Sequence, residues 1–200
     1  MNRMFAECEN LSAVNVSNFN TSKVTDMSDL FIRCRKVNLL DVSHFNTSKV
    51  TNFNAMFNGC ESVSAIDVSH FDTSKAQNMY GMFNGCRSLE SIDVSSFNTS
   101  NVTTMDWMFG ECSSLKSLDV SNFDMTNVTE AAHFADGNEN LRILRIPSSM
   151  DSIPVLYDAF DSVGTKQEPC ILYVPKGFNF NIDTSGSYFK WNGGYFRLGN

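Results

Sequence analysis

The sequence lacks the short motifs by which most enzymes and metal proteins are recognised. It has only three histidines, and no CxxC, HxxxH or HExxH string supplies the usual zinc spacings. A nucleophile elbow and a glycine-rich phosphate loop are also missing. We therefore expect no enzyme activity and no catalytic residue, and we assign neither a metal ion nor a cofactor.

Positive charge and long apolar runs are scarce as well. Lys and Arg number 15 against 22 Asp and Glu, which gives a formal net charge of −7, and the basic residues form no stripe. This balance argues against a nucleic-acid groove or an anionic membrane surface. No run of 18 apolar residues is present, so we expect no insertion into a bilayer.

A repeat with a period of 26 residues is what the sequence does contain. Five cysteines are spaced by that period, at Cys8, Cys34, Cys60, Cys86 and Cys112. Two phenylalanine columns and one valine column keep the same spacing, and they begin at Phe5, Phe19 and Val16. A fixed period of 20 to 50 residues is typical of a solenoid, in which each coil packs only on its neighbours.

Each period divides into two halves with different apolar spacing. Val50, Phe53, Met56, Phe57 and Cys60 follow the stripe of a short helix. The second half follows LxxLxVxxF, and its alternation predicts a short parallel strand over Ser64 to Ser69. The predicted fold class is therefore α/β, a right-handed leucine-rich-repeat-like solenoid with a parallel sheet on one face and short helices on the other.

The repeat predicts one domain with two parts. Residues 1–147 form the solenoid, and residues 148–200 form its C-terminal cap, with a short helix from Pro154 to Phe160 and a last strand at Cys170 to Pro175. Met1 to Phe5 match Met27 to Phe31, so the chain opens in the middle of a coil. We expect a truncated N-terminus, with any export signal or anchor outside this fragment.

The repeat resembles a known family. The string MxxMFxxCxSLxSxDVSxFDTSxVTxM, carried here by Met79 to Met105 and by the neighbouring repeats, is similar to the 26-residue repeat of BspA-like leucine-rich-repeat surface proteins of bacteria. The tail from Leu172 to Gly177, with Tyr188, Trp191 and Phe196, resembles the C-terminal ends of that family. The resemblance implies an extracellular or cell-surface-attached protein that binds other molecules, often as an adhesin.

A column of aspartates is the main candidate site. The middle outward positions of successive predicted strands carry Asp41, Asp67, Asp93 and Asp119, flanked by Ser43, Ser69, Ser95 and Ser121. Carboxylates about 5 Å apart repel one another, so solvent, serine hydroxyls, backbone amides or a cation must offset the repulsion. The column is either an exposed, locally hydrogen-bonded ladder or a ligand or calcium site, since hard cations prefer oxygen ligands.

Two further features have more than one interpretation. The cysteine column is compatible with a disulfide framework, but its single inward position in every coil favours buried free thiols. The tail aromatics Tyr188, Trp191 and Tyr195 suit either a cap over the solenoid end or a surface on which sugars stack.

These patterns lead to a non-enzymatic binding module, used for adhesion or for protein or glycan recognition through the sheet face. Its partner would be a surface protein or glycan of a host or neighbouring cell. The alternative is a structural spacer of a surface protein, and a weaker alternative is carbohydrate binding through the tail. An enzyme acting on glycans through Asp158, Asp161 or Asp183 would need two paired carboxyl groups. The sequence does not fix the oligomeric state.

Overall fold

Residues one period apart lie side by side through most of the molecule. The computed structural model describes residues 1–154, 156, 158–180 and 184–199. Backbone hydrogen bonds join residues 25 or 26 apart from Arg3–Ser28 through Glu111–Asp136. Isolated parallel bridges link Asp26, Asn52, Asn78, Thr104 and Glu130 in turn. The chain therefore forms a stack of coils, which we number from residues 1–26 (coil 1) to residues 105–130 (coil 5), with coil 6 beginning at residue 131.

The helices predicted for the first half of each coil are absent from the described residues; that half is a series of tight turns. In coil 3 the amides of Met56, Asn58 and Cys60 donate to the carbonyl three residues earlier, whereas the alternate amides donate to coil 4. Ala55 and Gly59 adopt φ of 50° and 71°. A left-handed residue every fourth position breaks a helix, so the stripe of apolar residues marks inward-facing turns instead. The helix prediction is wrong for this reason.

The alternate amides of the turns form four continuous chains of hydrogen-bonded peptides. In one chain Phe5 N donates to Leu30 O, Phe31 N to Met56 O, Phe57 N to Met82 O and Phe83 N to Met108 O. Three parallel chains begin at Met1, Arg3 and Glu7. Each peptide accepts from the coil before and donates to the coil after, so every turn needs its two neighbours.

Identical side chains stack on one another in the core. Neighbouring rings of Phe5, Phe31, Phe57, Phe83 and Phe109 have centroids 5.4 to 6.0 Å apart and are within 12° of parallel. Beside them the thiols of Cys34, Cys60, Cys86 and Cys112 each donate to the phenylalanine carbonyl of the preceding coil at 3.1 to 3.3 Å. All six cysteines are free.

A column of buried threonines also joins the coils. Thr73 Oγ1 donates to Asn98 O at 2.9 Å and accepts from Asn98 N at 2.8 Å, and the hydroxyl thereby replaces a pair of backbone ladder bonds. The threonines that make this double contact are Thr21, Thr47, Thr73 and Thr99. In coil 5 the position is Met125, whose amide donates to Ser149 Oγ instead.

Regular strands are confined to the later part of the described chain. The strands are β1 (Ser117–Asp119), β2 (Ile143–Arg145), β3 (Cys170–Tyr173), β4 (Phe189–Trp191) and β5 (Gly194–Leu198). They form one sheet in the order β1-β2-β3-β5-β4, with parallel pairs except for the antiparallel β4 and β5. The strand predicted at Cys170 to Pro175 is present as β3.

The strand predicted at Ser64 to Ser69 is not formed, and the chain there is irregular. In this part of each coil, side chains contact backbone carbonyl oxygens of the preceding coil. His70 Nε2 lies 3.0 Å from Val42 O, and Asn122 Nδ2 donates to Val94 O. These side-chain contacts stand where a strand would place backbone amides, so the ladder becomes regular only from β1 onward.

The chain beyond Pro147 departs from the 26-residue period. A 3-10 helix spans Ser148–Ser152. The helix predicted from Pro154 to Phe160 includes residues 155 and 157, which lie outside the described residues; Asp158 and Ser162 form turns with positive φ. Among the described residues no helix has the length and apolar character needed to cross a membrane.

Candidate functional site: the outward face of the sheet

The sheet face consists of the outward side chains of β1, β2, β3 and β5 and of the equivalent positions in coils 1–4. In the strands, parallel register places Asp119, Arg145 and Tyr173 in one row and Ser117, Ile143, Ile171 and Arg197 in the next. Leu118, Leu144 and Leu172 point inward between the two rows and are buried. Alternation along each strand thus delivers two rows of side chains to solvent.

The aspartate column lies on this face, and its carboxylates are bonded locally. Asp67 Oδ1 accepts from Ser69 N at 3.0 Å and from Ser69 Oγ at 2.7 Å. Asp41 with Ser43 and Asp119 with Ser121 repeat both bonds, and Asp93 accepts from the amide of Ser95. The structure therefore brings each predicted aspartate together with its predicted serine, two residues along the same coil.

Serine donors also lower the pKa of three aspartates in this column. The Ser69 hydroxyl, followed by the Ser69 amide, lowers the pKa of Asp67, and Ser43 and Ser95 lower the pKa of Asp41 and Asp93 in the same order. Donors that stabilise the charged form offset the repulsion between neighbouring carboxylates. Within the described part of the chain, no group of three or more His, Cys, Asp or Glu could hold a metal ion.

The sheet face changes character after β1. The column of Asp41, Asp67, Asp93 and Asp119 continues as Arg145, whose guanidinium lies 4.4 Å from the centre of the Tyr173 ring. Arg145 Nε is also 3.9 Å from Asp119 Oδ2. Beside it, Arg142 donates to Glu139 O and Leu141 O and pairs with Glu168 at 3.3 Å. One face thus carries carboxylates in its early coils and guanidinium groups in its later strands.

The tail aromatics are divided between two surfaces. Tyr188 and Tyr195 contact each other with ring centroids 5.8 Å apart, and Lys190 lies 5.6 Å from the Tyr195 ring centre. Trp191 packs instead against Phe160 and Phe178, at 5.2 and 5.7 Å. A tryptophan surrounded in this way covers the end of the core, so the three predicted residues do not form one sugar-stacking surface.

Of the aspartates considered for a glycan enzyme, the structure describes Asp158 and Asp161. Asp158 and Asp161 share one turn, in which Asp161 N donates to Asp158 O, and both side chains are exposed. Asp183 lies outside the described residues. Two of the three histidines contact the backbone: His44 Nε2 lies 2.6 Å from Val16 O, and His70 makes the same contact one coil later.

Sequence reasoning missed the basic part of the sheet face. Arg142, Arg145 and Arg197 lie outside the repeated string or interrupt its columns, and a search for the 26-residue period treats such residues as irregularities. The signal that could have revealed the basic part is the interruption of the aspartate column, because Arg145 replaces an aspartate at an outward position. Tyr173, its partner, becomes recognisable only through the register of β2 and β3.

Comparison with known proteins gives one match. The model of the family described as "Mycoplasma protein of unknown function, DUF285" matches residues 1–93 and residues 65–142. No curated protein and no solved structure matches the chain significantly. The matched stretches cover the coils and end before β2, so the family pattern resides in the repeat.

Proposed function

The chain belongs to the family described as "Mycoplasma protein of unknown function, DUF285", and from this premise we propose that it is a non-enzymatic binding module that recognises a surface protein or glycan of another cell. The proposal includes the leucine-rich-repeat-like, BspA-like character of the coils and an extracellular or cell-surface location. Adhesion through the sheet face is the proposed activity.

The observation that carries the proposal is the outward column on the sheet face. Asp41, Asp67, Asp93 and Asp119 present one carboxylate per coil, and each has its conformation set by hydrogen bonds inside its own coil. A rigid row of like groups offers repeated contacts to an extended partner, and its order reduces the entropy that binding must remove.

The experiment is a binding screen against glycans and extracellular-matrix proteins, with and without calcium. The test variant combines Asp67→Asn with Asp93→Asn. The matched control combines Asp72→Asn with Asp124→Asn, because these exposed carboxylates make the same local bonds, to Ser74 and Thr126, but lie outside the column. Saturable binding that the test variant loses and the control keeps supports the proposal.

A spacer is the second candidate function, and the uninterrupted stacking of coils 1–5 favours it. A spacer holds another domain at a distance and binds nothing specifically. Folded protein that binds no member of the screen, with the test variant unchanged, would favour the spacer and overturn the binding module.

A further inference from the structure

We propose that the C-terminal part of the sheet face docks an acidic, extended peptide segment of a protein partner. We call this part the arginine face and define it by Arg142, Arg145, Arg197, Ile171 and Tyr173. The inference rests on the proposed function; it names the partner's chemistry and adds a second contact on the same face, separate from the aspartate column.

Two of the three guanidinium groups are held in place before any ligand arrives. Arg145 lies over the Tyr173 ring at 4.4 Å, and Arg142 Nη1 donates to Glu139 O at 2.8 Å. The ring and the carbonyl fix these side chains without neutralising them fully. A positioned guanidinium offers paired donors to a carboxylate at a small cost in side-chain entropy.

Depressions in the surface run alongside these arginines. One, of about 380 Å³, is lined by Arg142, Gln167, Glu168, Pro169, Ile171 and Arg197. A second, of about 300 Å³, shares Ile171 and Arg197 with it and continues to Tyr173, Leu198 and Gly199. The two therefore adjoin, and together they form a groove with apolar side chains between cationic ones.

Charge in the groove favours an anionic ligand. Arg142 and Arg145 each have one carboxylate partner, Glu168 at 3.3 Å and Asp119 at 3.9 Å. Arg197 makes no ion pair among the described residues and is exposed. The chain as a whole carries a net charge of −7, so a cluster of cations on its sheet face is a local reversal of sign.

The apolar part of the groove favours a peptide over a charged sugar. Sugars need an open aromatic face for stacking, but the Arg145 guanidinium covers the Tyr173 ring. The ring also lies against the Gly199 backbone, because a Cβ added at Gly199 would be 2.5 Å from Tyr173 Cε1. Ile171 and Leu198 remain partly or fully exposed. Aliphatic floor residues between guanidinium groups match a segment that alternates acidic and aliphatic side chains.

The experiment measures fluorescence anisotropy of a labelled peptide of alternating Glu and Val, with a Lys and Val peptide and a sulfated oligosaccharide as the comparison probes. The test variants are Arg197→Gln and Arg145→Gln. The control is Arg87→Gln, which removes the same charge from an exposed arginine that pairs with Glu111 at 3.6 Å, away from the groove. Thermal unfolding of each variant verifies that it is folded.

The expected result is saturable binding of the acidic peptide, weakened about 5-fold or more by each test variant and by raised salt, and unchanged in the control. Equal binding by the test variants and the control, equal affinity for the Lys and Val peptide, or preference for the sulfated oligosaccharide would overturn the inference. If the acidic peptide does not bind, but the combined Asp67→Asn and Asp93→Asn variant loses binding to a ligand from the screen, this inference fails and the proposed function stands. If the folded protein binds neither, both fail.

Discussion

Coils 1–5 and the part of the chain that follows them solve the same packing problem in different ways. In the coils, phenylalanine rings meet nearly parallel copies of themselves, as Phe57 meets Phe83 at an interplanar angle of 12°. From coil 5 onward the rings of Phe109, Phe134 and Phe160 meet edge to face, at 76° and 79°. The backbone changes with the side chains, because the separation between residues joined by inter-coil hydrogen bonds falls from 25 at Phe109 and Glu111 to 24 at Ala135 and Gly137.

The difference shows what an unbroken period achieves. When every side chain packs against its own copy, the same packing arrangement repeats at every interface between coils. Neither a disulfide nor a regular strand is needed among the described residues of the early coils. Once the period changes, each contact becomes individual, and β2, β3 and β5 take over the pairing of successive turns. The two regions should therefore respond differently to the same substitution.

Replacing glycine by alanine gives the largest expected contrast. At Gly164, with φ of 66°, an added Cβ would collide with Tyr195 O and lie 2.6 Å from Cys170 N. At Gly85, with φ of 71°, its nearest neighbours are 3.5 Å away in Gly59. Gly164→Ala should lower the free energy of unfolding by about 2–5 kcal/mol and Gly85→Ala by about 1–2 kcal/mol, as measured by urea denaturation. Equal losses would contradict the contrast.

Removing one bridging hydroxyl is expected to weaken the stack by less. Thr73→Val removes the two hydrogen bonds that the Thr73 hydroxyl makes with the N–H and C=O of Asn98, so the free energy of unfolding should fall by about 1–3 kcal/mol. Thr126→Val is the control, since Thr126 is exposed and its bonds to Asp124 stay within one coil. A loss of the same size in the control would show that the coil-to-coil bridge has no special importance.

Exchanging Cys and Asn in the cysteine column should change the free energy of unfolding in opposite directions in the two regions. Asn138 stands in the cysteine column of coil 6; its Nδ2 donates to Phe109 O and Ala135 O, but its buried Oδ1 has no partner among the described residues. Asn138→Cys should raise the free energy of unfolding by about 1 kcal/mol, and Cys86→Asn should lower it by about 1–3 kcal/mol. Thermal and urea unfolding of both variants measure this, and destabilisation by Asn138→Cys would contradict it.

The smallest expected effect is a difference in thiol labelling. Burial raises the pKa of Cys34 to about 11 and that of Cys170 to about 12, so at pH 8 both are protonated and react slowly with iodoacetamide. At Cys34 the thiolate fraction is about 100-fold below that of a thiol with a pKa of 9.0. Mass spectrometry should show Cys8, which is partly exposed, labelled first.

Labelling also reports which region opens more readily. Cys170 and Cys86 are both buried and both have a raised pKa. Cys86 lies where four peptide chains join each coil to two neighbours, whereas Cys170 lies beyond the last of the regular coils. Cys170 should therefore be labelled before Cys86, and the reverse order would locate the weaker region in the coils.

Much of the stacking was predictable from the sequence, and the local backbone was not. The 26-residue period predicts which residues meet, because identical positions of successive coils must lie side by side: Phe31 on Phe57, and Cys60 beside Cys86. The same apolar stripe fits a helix and an inward turn equally well, and only the left-handed φ of Ala55 separates them. An alanine gives no warning of that conformation.

The candidate site was predicted in part for a similar reason. The pairing of Asp67 with Ser69 is local, and the DVS string contains it. The contact of Arg145 with Tyr173 joins residues that the repeat does not relate, since the spacing there is no longer 26. The binding role of either surface is still a prediction.

The close stacking of the coils has a mechanical consequence. Each coil adds only about 5 Å to the length of the stack, as the ring spacings of 5.4 to 6.0 Å between neighbouring phenylalanines reflect. The same 26 residues, pulled straight, would span about 90 Å. A stack under tension would therefore lengthen in steps of about 85 Å as its coils unfold one at a time. A tethered partner could move by several such steps before the last coil unfolds.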